Sequence, residues 1–252
     1  MVTKAILLIA GLGTRLRPLT DTVPKCMVPV AGKPVLLHTI EWCRGFGIRD
    51  FVLNPCHLPE AVMSFFGDGR DFGVRIQYSQ EASPLGTAGG VKRAARFLDS
   101  DQPFLVWYGD NLSRCDLDRL RERHRAAGAL ATIALHHRDD VTHSGIVGLE
   151  GDGRINRFLE KPAPDQVFSH WVNAGIYILE PPALDAIPDS GPSDFAREVF
   201  PGLLSKGAAL FGYKLSAAEG LWWLDRMEDL ARLQGHPQWA APASSRLLAT
   251  DY

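Results

Sequence analysis

A glycine-rich loop near the start of the chain carries three cationic side chains close together. Gly11 and Gly13 are followed by Arg15, Arg17 and Lys25. Glycines allow the backbone to approach a phosphate closely, so that amide groups can contact the anion. Guanidinium groups bind phosphate oxygens bidentately, and an ammonium group adds a mobile point charge. The loop is therefore predicted to bind several adjacent phosphates, with a solvated basic loop as the alternative.

The spacing in this loop does not match the two common nucleotide-binding fingerprints. Leu16 stands where a dinucleotide fingerprint has its third glycine, and no Gly-Lys-Ser or Gly-Lys-Thr triplet ends the loop as in a P-loop. Neither an NAD site nor a Walker-type site is supported.

The loop follows an apolar run at residues 5–10, which is typical of a strand buried on both faces of a parallel sheet. Further strands are predicted over residues 51–54, 74–78 and 104–107, and helices over 34–46, 59–66 and 88–98. This alternation predicts a doubly wound, Rossmann-like α/β sheet. Ligands bind such sheets beyond the carboxyl ends of the strands, where the glycine-rich loop lies.

The second half of the chain has a different pattern. A helix is predicted over residues 116–128, followed by strands over 130–135, 145–149, 155–159 and 173–179, with a hairpin turn at 151–153. Because no Ser/Gly-rich linker separates the halves, we expect one domain over residues 1–252 with a mixed sheet.

Composition excludes several classes of protein. The 252 residues are 46% hydrophobic, so the chain can bury a core. Its net charge of -2 gives no overall electrostatic field that would attract nucleic acid or an anionic membrane. The first apolar run is too short to span a membrane. The cysteines form no C-x-x-C pair, which favours reduced thiols in a cytoplasmic protein; they are Cys26, Cys43, Cys56 and Cys115.

Histidines offer one alternative site. His136, His137 and His143 could be metal ligands, but adjacent histidines cannot share a strand face. We expect solvated side chains instead.

Seven sequence blocks together resemble one enzyme family. They are residues 10–20 (AGLGTRLRPLT), 24–25 (PK), 28–34 (VPVAGKP), 81–89 (EASPLGTAG), 108–111 (YGDN), 160–162 (EKP) and 173–177 (NAGIY). In type and order they resemble the sugar-1-phosphate nucleotidyltransferases, or NDP-sugar pyrophosphorylases, up to about residue 234. The pattern is most similar to guanylyltransferases for mannose or manno-heptose 1-phosphate. Ile9 departs from it, since the family usually has a small residue there.

The resemblance implies a nucleotidyl transfer reaction. A sugar 1-phosphate oxygen attacks the α-phosphorus of a nucleoside triphosphate, which releases pyrophosphate and an NDP-sugar. The attacking phosphate is already ionised at neutral pH, so cations and Mg²⁺ matter more than a general base. The expected partners are these two substrates, with no nucleic acid or membrane, and a homo-oligomer remains open. No β-helical extension is recognised, so we expect a free-standing catalytic domain.

The resemblance also assigns roles to individual residues. Arg15, Lys25 and Asp110 are the expected catalytic residues, and Asp110 and Asp225 the expected Mg²⁺ ligands. The expected nucleotide-binding residues are Ala10, Gly11, Gly13, Thr14, Glu81, Pro84, Gly86 and Thr87. The expected sugar-phosphate-binding residues are Asp110, Gly145, Glu160, Lys161 and Asn173. These sets divide the chain into a nucleotide-binding half, about 1–115, and a sugar-phosphate-binding half, about 116–240.

Two of these assignments leave alternatives open. The family has a Gly-Thr-Pro turn after its second aspartate, and this chain lacks it, so Asp225 could instead cap the helix that follows. Glu81 stands near the position that reads the base in related enzymes. A carboxylate only accepts hydrogen bonds, which suits the two adjacent donors of guanine and favours GTP, with a solvated Glu81 as the alternative.

Other functions also remain open. One is a uridylyl- or thymidylyltransferase acting on glucose 1-phosphate, N-acetylmuramate 1-phosphate or a related sugar. Another is a catalytically silent regulatory homologue, although retention of Arg15, Lys25, Asp110 and Lys161 argues against it. A third is transfer to a non-sugar phosphate such as phosphocholine, which the 160–162 block and Asn173 disfavour.

Overall fold

The computed structural model describes residues 2–99 and 101–240. Its strands are β1 (Lys4–Leu8), β2 (Pro29–Val30), β3 (Lys33–Pro34), β4 (Asp50–Leu53), β5 (Arg75–Tyr78), β6 (Phe104–Tyr108), β7 (Asn111–Ser113), β8 (Ala131–His137), β9 (Gly145–Leu149), β10 (Ile155–Glu160), β11 (Trp171–Leu179), β12 (Leu210–Lys214) and β13 (Leu221–Trp223). Its α-helices are α1 (Val35–Gly45), α2 (Pro59–Phe66), α3 (Gly86–Ala94), α4 (Leu117–Ala127), α5 (Phe200–Ser205), α6 (Met227–Gln234) and α7 (Pro237–Ala240). None of these helices is both long and apolar enough to cross a bilayer.

The first half of the chain forms the predicted parallel sheet. Strands β5, β4, β1 and β6 lie side by side in that order, and each neighbouring pair is parallel. Beyond the ends of β1 and β6, the Gly109 amide donates to the Leu8 carbonyl at 2.9 Å. The loops that follow these two strands therefore begin next to each other.

The second half continues the same sheet with antiparallel strands. β11 pairs antiparallel with β6 on one side and with β8 on the other, and β12 pairs parallel with β8. The hairpin of β9 and β10 joins the sheet where Val172 of β11 pairs with Ile146. The result is one mixed sheet of nine strands within the described residues. The sequence predicted a mixed sheet and eight of these strands, but not β12.

Both faces of the sheet are covered, which explains the continuous apolar run of β1. Ala5 and Leu7 face a core that includes α1, whereas Ile6 and Leu8 face a second core that includes α3. Successive residues of a strand point to opposite faces, so a strand buried on both sides needs apolar residues throughout.

A small two-stranded sheet next to the main one was not predicted. β7 and β13 pair antiparallel, with Trp223 opposite Asn111 and Leu221 opposite Ser113. Each strand has three residues, too few to give a recognisable period. The pairing brings the segment after β6 against a segment from the far end of the chain.

Cysteines and histidines differ in how well they were predicted. All four cysteines are free thiols, as expected. The expectation of a solvated histidine is wrong for His136, which is half-buried with its ring packed edge-on against Trp223 at 5.5 Å. The His137 ring instead packs against Trp171. No group of three or more His, Cys, Asp or Glu side chains in the described part of the chain could hold a metal.

Candidate active site

Lys25 contacts both aspartates, Asp110 and Asp225, that the family resemblance assigned as Mg²⁺ ligands. Its Nζ donates to Asp110 Oδ2 at 2.6 Å and to Asp225 Oδ1 at 2.9 Å. Lys25 begins a 3-10 turn in the glycine-rich loop, Asp110 follows β6, and Asp225 follows β13. The loop after β1, the end of β6 and the β13 segment therefore converge on one ammonium group.

Burial and charge act in opposite directions on this cluster. Lys25 is 8% exposed. Burial alone lowers the pKa of its ammonium group, but Asp110 and Asp225 outweigh that effect and raise the pKa above its ordinary value. Burial likewise favours a higher pKa for Asp225, yet Lys25, Arg15 and Arg138 together hold it below the ordinary value. The cation and this carboxylate are therefore both charged at neutral pH.

The glycine-rich loop folds so that Arg15 reaches the same carboxylate. Arg15 Nη2 donates to Asp225 Oδ1 at 2.9 Å, while most of the Arg15 side chain is exposed. Gly13 has φ +61°, and a Cβ there would lie 3.0 Å from Thr20 Cγ2 and 3.1 Å from Lys25 Cβ. Because Gly13 packs so closely, any larger residue would press on the side chains of Thr20 and Lys25. Arg17 instead pairs with the exposed Asp21 at 3.1 Å.

Asp225 is not a helix cap, so that alternative is wrong. Asp229 of α6 accepts hydrogen bonds from the backbone N of Asp225 at 3.1 Å and of Arg226 at 2.9 Å. This contact holds the chain where the family has a Gly-Thr-Pro turn, and it leaves the Asp225 carboxylate directed at Lys25 and Arg15.

The two aspartates fit the needs of Mg²⁺. Mg²⁺ is usually bound by one or two carboxylates together with substrate phosphates and water, rather than by an all-protein cage. The side chains of Asp110 and Asp225 are 31% and 28% exposed, and one oxygen of each lies within hydrogen-bond distance of the same Lys25 Nζ. The two carboxylates are thus close together and partly exposed.

A buried network that sequence reasoning missed orders the nucleotide side of the site. Asn54, which follows β4, accepts from the Ile9 backbone N at 2.6 Å and donates to Glu81 Oε1 at 2.8 Å. Glu81 Oε2 accepts from the Leu85 backbone N at 2.8 Å. A polar residue directly after the apolar strand 51–53 was the available signal. The network joins the ends of β1 and β4 to the loop before α3.

This network corrects part of the expectation for Glu81. Glu81 is 2% exposed, so the solvated alternative is wrong. A role in reading the base stays a prediction, and it requires the carboxylate to accept from the base in addition to Asn54 and Leu85. The other predicted nucleotide-binding positions lie in the two loops at this edge and are exposed or half-buried; they are Ala10, Gly11, Gly13, Thr14, Pro84, Gly86 and Thr87.

Asn54→Ala should lower the free energy of unfolding by on the order of 3 kcal/mol, because it leaves a buried amide of Ile9 and a buried carboxylate oxygen of Glu81 without partners. Urea denaturation at neutral pH measures this loss. Asn156→Ala, at an exposed position of β10, is the matched control and should change the free energy of unfolding little. Equal stability of the two variants would show that the network does not hold the loop.

Thr87 contacts the segment before α5 rather than open space. Its Oγ1 donates to Asp194 Oδ2 at 2.9 Å and accepts from the Phe195 backbone N at 3.0 Å. The backbone N groups of Ala88 and Gly89 donate to the Ser193 carbonyl at 3.0 and 3.1 Å. The first turn of α3 is therefore fixed to the segment before α5, and a direct contact of the Thr87 hydroxyl with a nucleotide stays a prediction.

Four of the predicted sugar-phosphate residues lie near the ends of β9, β10 and β11, whereas the fifth, Asp110, follows β6. Gly145 pairs with Glu160, and Lys161 has φ +51°, an uncommon conformation for a lysine. Burial raises the pKa of Glu160, and the nearby Asp194 carboxylate raises it further. The Asn173 amide is engaged by protein groups, since it donates to Tyr177 Oη at 2.7 Å and accepts from the Gly175 backbone N at 2.9 Å.

Tyr108 connects this group to the aspartate cluster. It stands two residues before Asp110, and its hydroxyl accepts from Tyr177 Oη at 3.0 Å. Burial raises the Tyr108 pKa, and Asp194 and Glu160 also raise it. The sugar side therefore carries several hydrogen-bond acceptors close to the end of β6.

Gly145→Ala should raise the KM for the sugar substrate roughly tenfold to hundredfold, since misplacing a contact group by about 1 Å can cost that much. A Cβ at position 145 would lie 2.6 Å from Glu160 Oε2 and 2.9 Å from Phe158 Cε1, so the carboxylate must move. Initial rates at varied concentrations of each substrate measure the effect. Gly151→Ala, where a Cβ meets nothing within 4 Å, is the control. An unchanged KM for the sugar substrate would exclude Glu160 from that site.

Comparisons with known proteins agree on one family. The family model described as "Nucleotidyl transferase" matches residues 4–227. A UTP--glucose-1-phosphate uridylyltransferase from Synechocystis is 38% identical over 84% of this chain and 58% of its own length. A mannose-1-phosphate guanylyltransferase from Mycobacterium tuberculosis is 38% identical over 90% of this chain and 62% of its own length. This chain thus spans about three fifths of the length of these relatives.

A solved structure supports the fold. HddC from Yersinia pseudotuberculosis, complexed with GMP-PN, superposes with a TM-score of 0.77 at 22% identity, covering 92% of this chain and 98% of its own. At this level of identity the likeness concerns the fold alone. The α/β architecture expected from the sequence is confirmed.

Proposed function

The chain belongs to the nucleotidyl transferase family, and we propose that it transfers a nucleotidyl group from a nucleoside triphosphate to a sugar 1-phosphate. The observation that carries this proposal is the convergence of Arg15, Lys25, Asp110 and Asp225 at the carboxyl ends of β1 and β6. Ligands bind α/β sheets at this edge. Two anionic substrates need cations there, and the same cluster supplies carboxylates for a metal.

The transfer exchanges one phosphorus–oxygen bond for another. An oxygen of the sugar 1-phosphate forms a bond to the α-phosphorus, and the bond from that phosphorus to the bridging oxygen of the β-phosphate breaks. Pyrophosphate leaves with the electron pair, and no proton has to be removed from the nucleophile. Lys25 and Arg15 would bind the triphosphate and stabilise the charge on the leaving pyrophosphate.

Asp110 and Asp225 would hold Mg²⁺ against the phosphates. When bound, the metal neutralises part of the phosphate charge and aligns the triphosphate. Before that, Lys25 keeps the two carboxylates paired, so that a charged and partly buried cluster is already assembled when substrate arrives.

For the base and the sugar, we propose GTP and a mannose-type 1-phosphate. The guanylyltransferase relative aligns over the larger share of this chain, and Glu81 offers acceptors only. The alternative is UTP with glucose 1-phosphate, which the equally identical uridylyltransferase relative supports.

A substrate matrix tests the proposal. GTP, UTP, dTTP, ATP and CTP are each combined with the 1-phosphates of mannose, glucose and manno-heptose, and pyrophosphate release is followed. We expect the largest kcat/KM with GTP and a mannose-type sugar. A preference for UTP or dTTP would overturn the choice of base while leaving the reaction class. Release with none of the pairs would favour a catalytically silent homologue.

A further inference from the structure

Arg138 lies beside the aspartate cluster although no sequence motif pointed to it. It directly follows β8, is half-buried, and places its Cζ 4.4 Å from the centroid of the Trp223 ring. Trp223 is the last residue of β13 and pairs with Asn111, the neighbour of Asp110. The stacked guanidinium is therefore held close to where both aspartates emerge.

The position of Trp223 shows on which side Arg138 lies. Asp225 stands two residues after Trp223, and the fully buried Leu224 lies between these two half-buried residues. This alternation is expected when Trp223 and Asp225 share a face. Trp223 also packs against the cluster of Val141, Ile146 and Val172, as does Leu159, which precedes Glu160.

Among residues 2–99 and 101–240, no carboxylate pairs with the guanidinium of Arg138. Its backbone N and carbonyl bond to His170 at 3.0 and 2.9 Å, but its side chain pairs with no Asp or Glu of the described residues within 4.0 Å. Arg15, by contrast, is bonded to Asp225. When an arginine stacks on an indole ring, the N–H groups in the plane of its guanidinium stay available to bind an anion bidentately.

We infer that Arg138 binds the phosphate group of the sugar 1-phosphate. The inference rests on the proposed function and extends it by a residue. Arg15 and Lys25 reach Asp225 from the glycine-rich loop after β1, where the triphosphate is expected. Arg138 stacks on Trp223, two residues before Asp225, and comes from the end of β8, in the half of the chain that carries Glu160 and Lys161. The attacking phosphate must enter between these two groups, and Arg138 is the cation stacked at that junction.

Arg138→Met should raise the KM for the sugar 1-phosphate roughly tenfold to hundredfold, as expected for the loss of a charge-assisted contact. The KM for the nucleoside triphosphate should stay within about twofold. Arg138→Lys keeps the charge but loses the planar pair of donors, so it should recover only part of the affinity. Arg157→Met is the matched control. Arg157 is exposed on β10, and its guanidinium also stacks on a ring, with Cζ 4.0 Å from the centroid of Phe168.

Three outcomes would overturn the inference. One is an unchanged KM for the sugar 1-phosphate in Arg138→Met. The second is an increase confined to the triphosphate, which would place Arg138 on the nucleotide side. The third is an equal effect in Arg138→Met and Arg157→Met together with equal loss of melting temperature, which would indicate a packing role.

A binding measurement keeps this result separate from failure of the proposed function. Calorimetric titration of mannose 1-phosphate and of inorganic phosphate into the wild-type protein, Arg138→Met and Arg157→Met requires no turnover. If the wild-type protein releases no pyrophosphate with any substrate pair, the proposed function fails. Weaker phosphate binding by Arg138→Met alone would still support the anion site, whereas equal binding by all three proteins would exclude it.

Discussion

Asp110→Asn is expected to reduce pyrophosphate release by roughly a thousandfold while the protein remains folded. A carboxylate that holds a catalytic metal contributes several kcal/mol of transition-state stabilisation, and each 1.36 kcal/mol corresponds to a factor of ten in rate. The variant keeps the shape of the side chain and an oxygen that can still accept from Lys25. The loss should therefore lie in metal affinity and rate, not in the fold.

The measurement combines rates at increasing Mg²⁺ with thermal unfolding. We expect the rate of Asp110→Asn to recover only in part at high Mg²⁺, and its melting temperature to stay within a few degrees of wild type. Asp99→Asn is the matched control, because Asp99 also pairs with a lysine, Lys4 at 3.0 Å. Wild-type turnover by Asp110→Asn would contradict the assigned role of Asp110.

Lys25→Met should lower activity by at least a hundredfold and also destabilise the protein. The ammonium group is the cation that both aspartates share, and removing one preorganised donor to a developing phosphate charge costs about that much. Removing one partner of a buried ion pair leaves the other uncompensated. Since both carboxylates are partly exposed, we expect a loss on the order of 2 kcal/mol in the free energy of unfolding.

The destabilisation by Lys25→Met should depend on pH. The pKa of Asp225 is lowered from 3.8 in the folded protein, so its stabilising contribution is present above that value and disappears as the pH falls through the folded pKa. The pKa of Lys25 is raised from 10.5, so its contribution is present below that value and disappears as the pH rises through the folded pKa. The difference between wild type and variant should be largest near neutral pH and shrink below about pH 4.

Urea denaturation at pH 7 and pH 3.5 tests this dependence. Lys4→Met removes a more exposed lysine paired with Asp99 and should have a small effect at both pH values. If Lys25→Met were as stable as wild type at pH 7, the pairing of Lys25 with the two aspartates would not contribute to the folded state.

The local parts of the fold were predictable from sequence because short-range patterns determine them. The apolar runs of β1 and β6 are continuous since both faces of the sheet are covered. The hairpin of β9 and β10 was located from glycine and aspartate in its turn. Arg15, Lys25 and Asp110 were assigned through blocks that resemble a known family, and the structure brings them together with Asp225.

Contacts between distant residues were not predictable in the same way. The polar residue directly after the apolar strand was the one local signal for Asn54, and its role becomes evident only when Ile9 and Glu81 are seen around it, because a polar residue in that place can be a buried amide or an ordinary loop residue. Arg138 lies in a polar stretch of sequence, and only its stacking on Trp223 in the structure indicates that it lies near the aspartates. The engagement of Thr87 with Asp194 likewise depends on a segment more than a hundred residues later.

The pairing of β7 with β13 also determines the stage of folding at which Asp110 and Asp225 can come together. β13 and Asp225 come near the end of the described chain, long after the loop that carries Lys25 and the strand before Asp110. A chain growing on the ribosome can thus form the parallel strands first, but it lacks the second carboxylate until Asp225 has been made. Contacts between such distant segments form slowly because a long loop must be closed first. The proposed metal site should therefore be completed late in folding, when β13 pairs with β7.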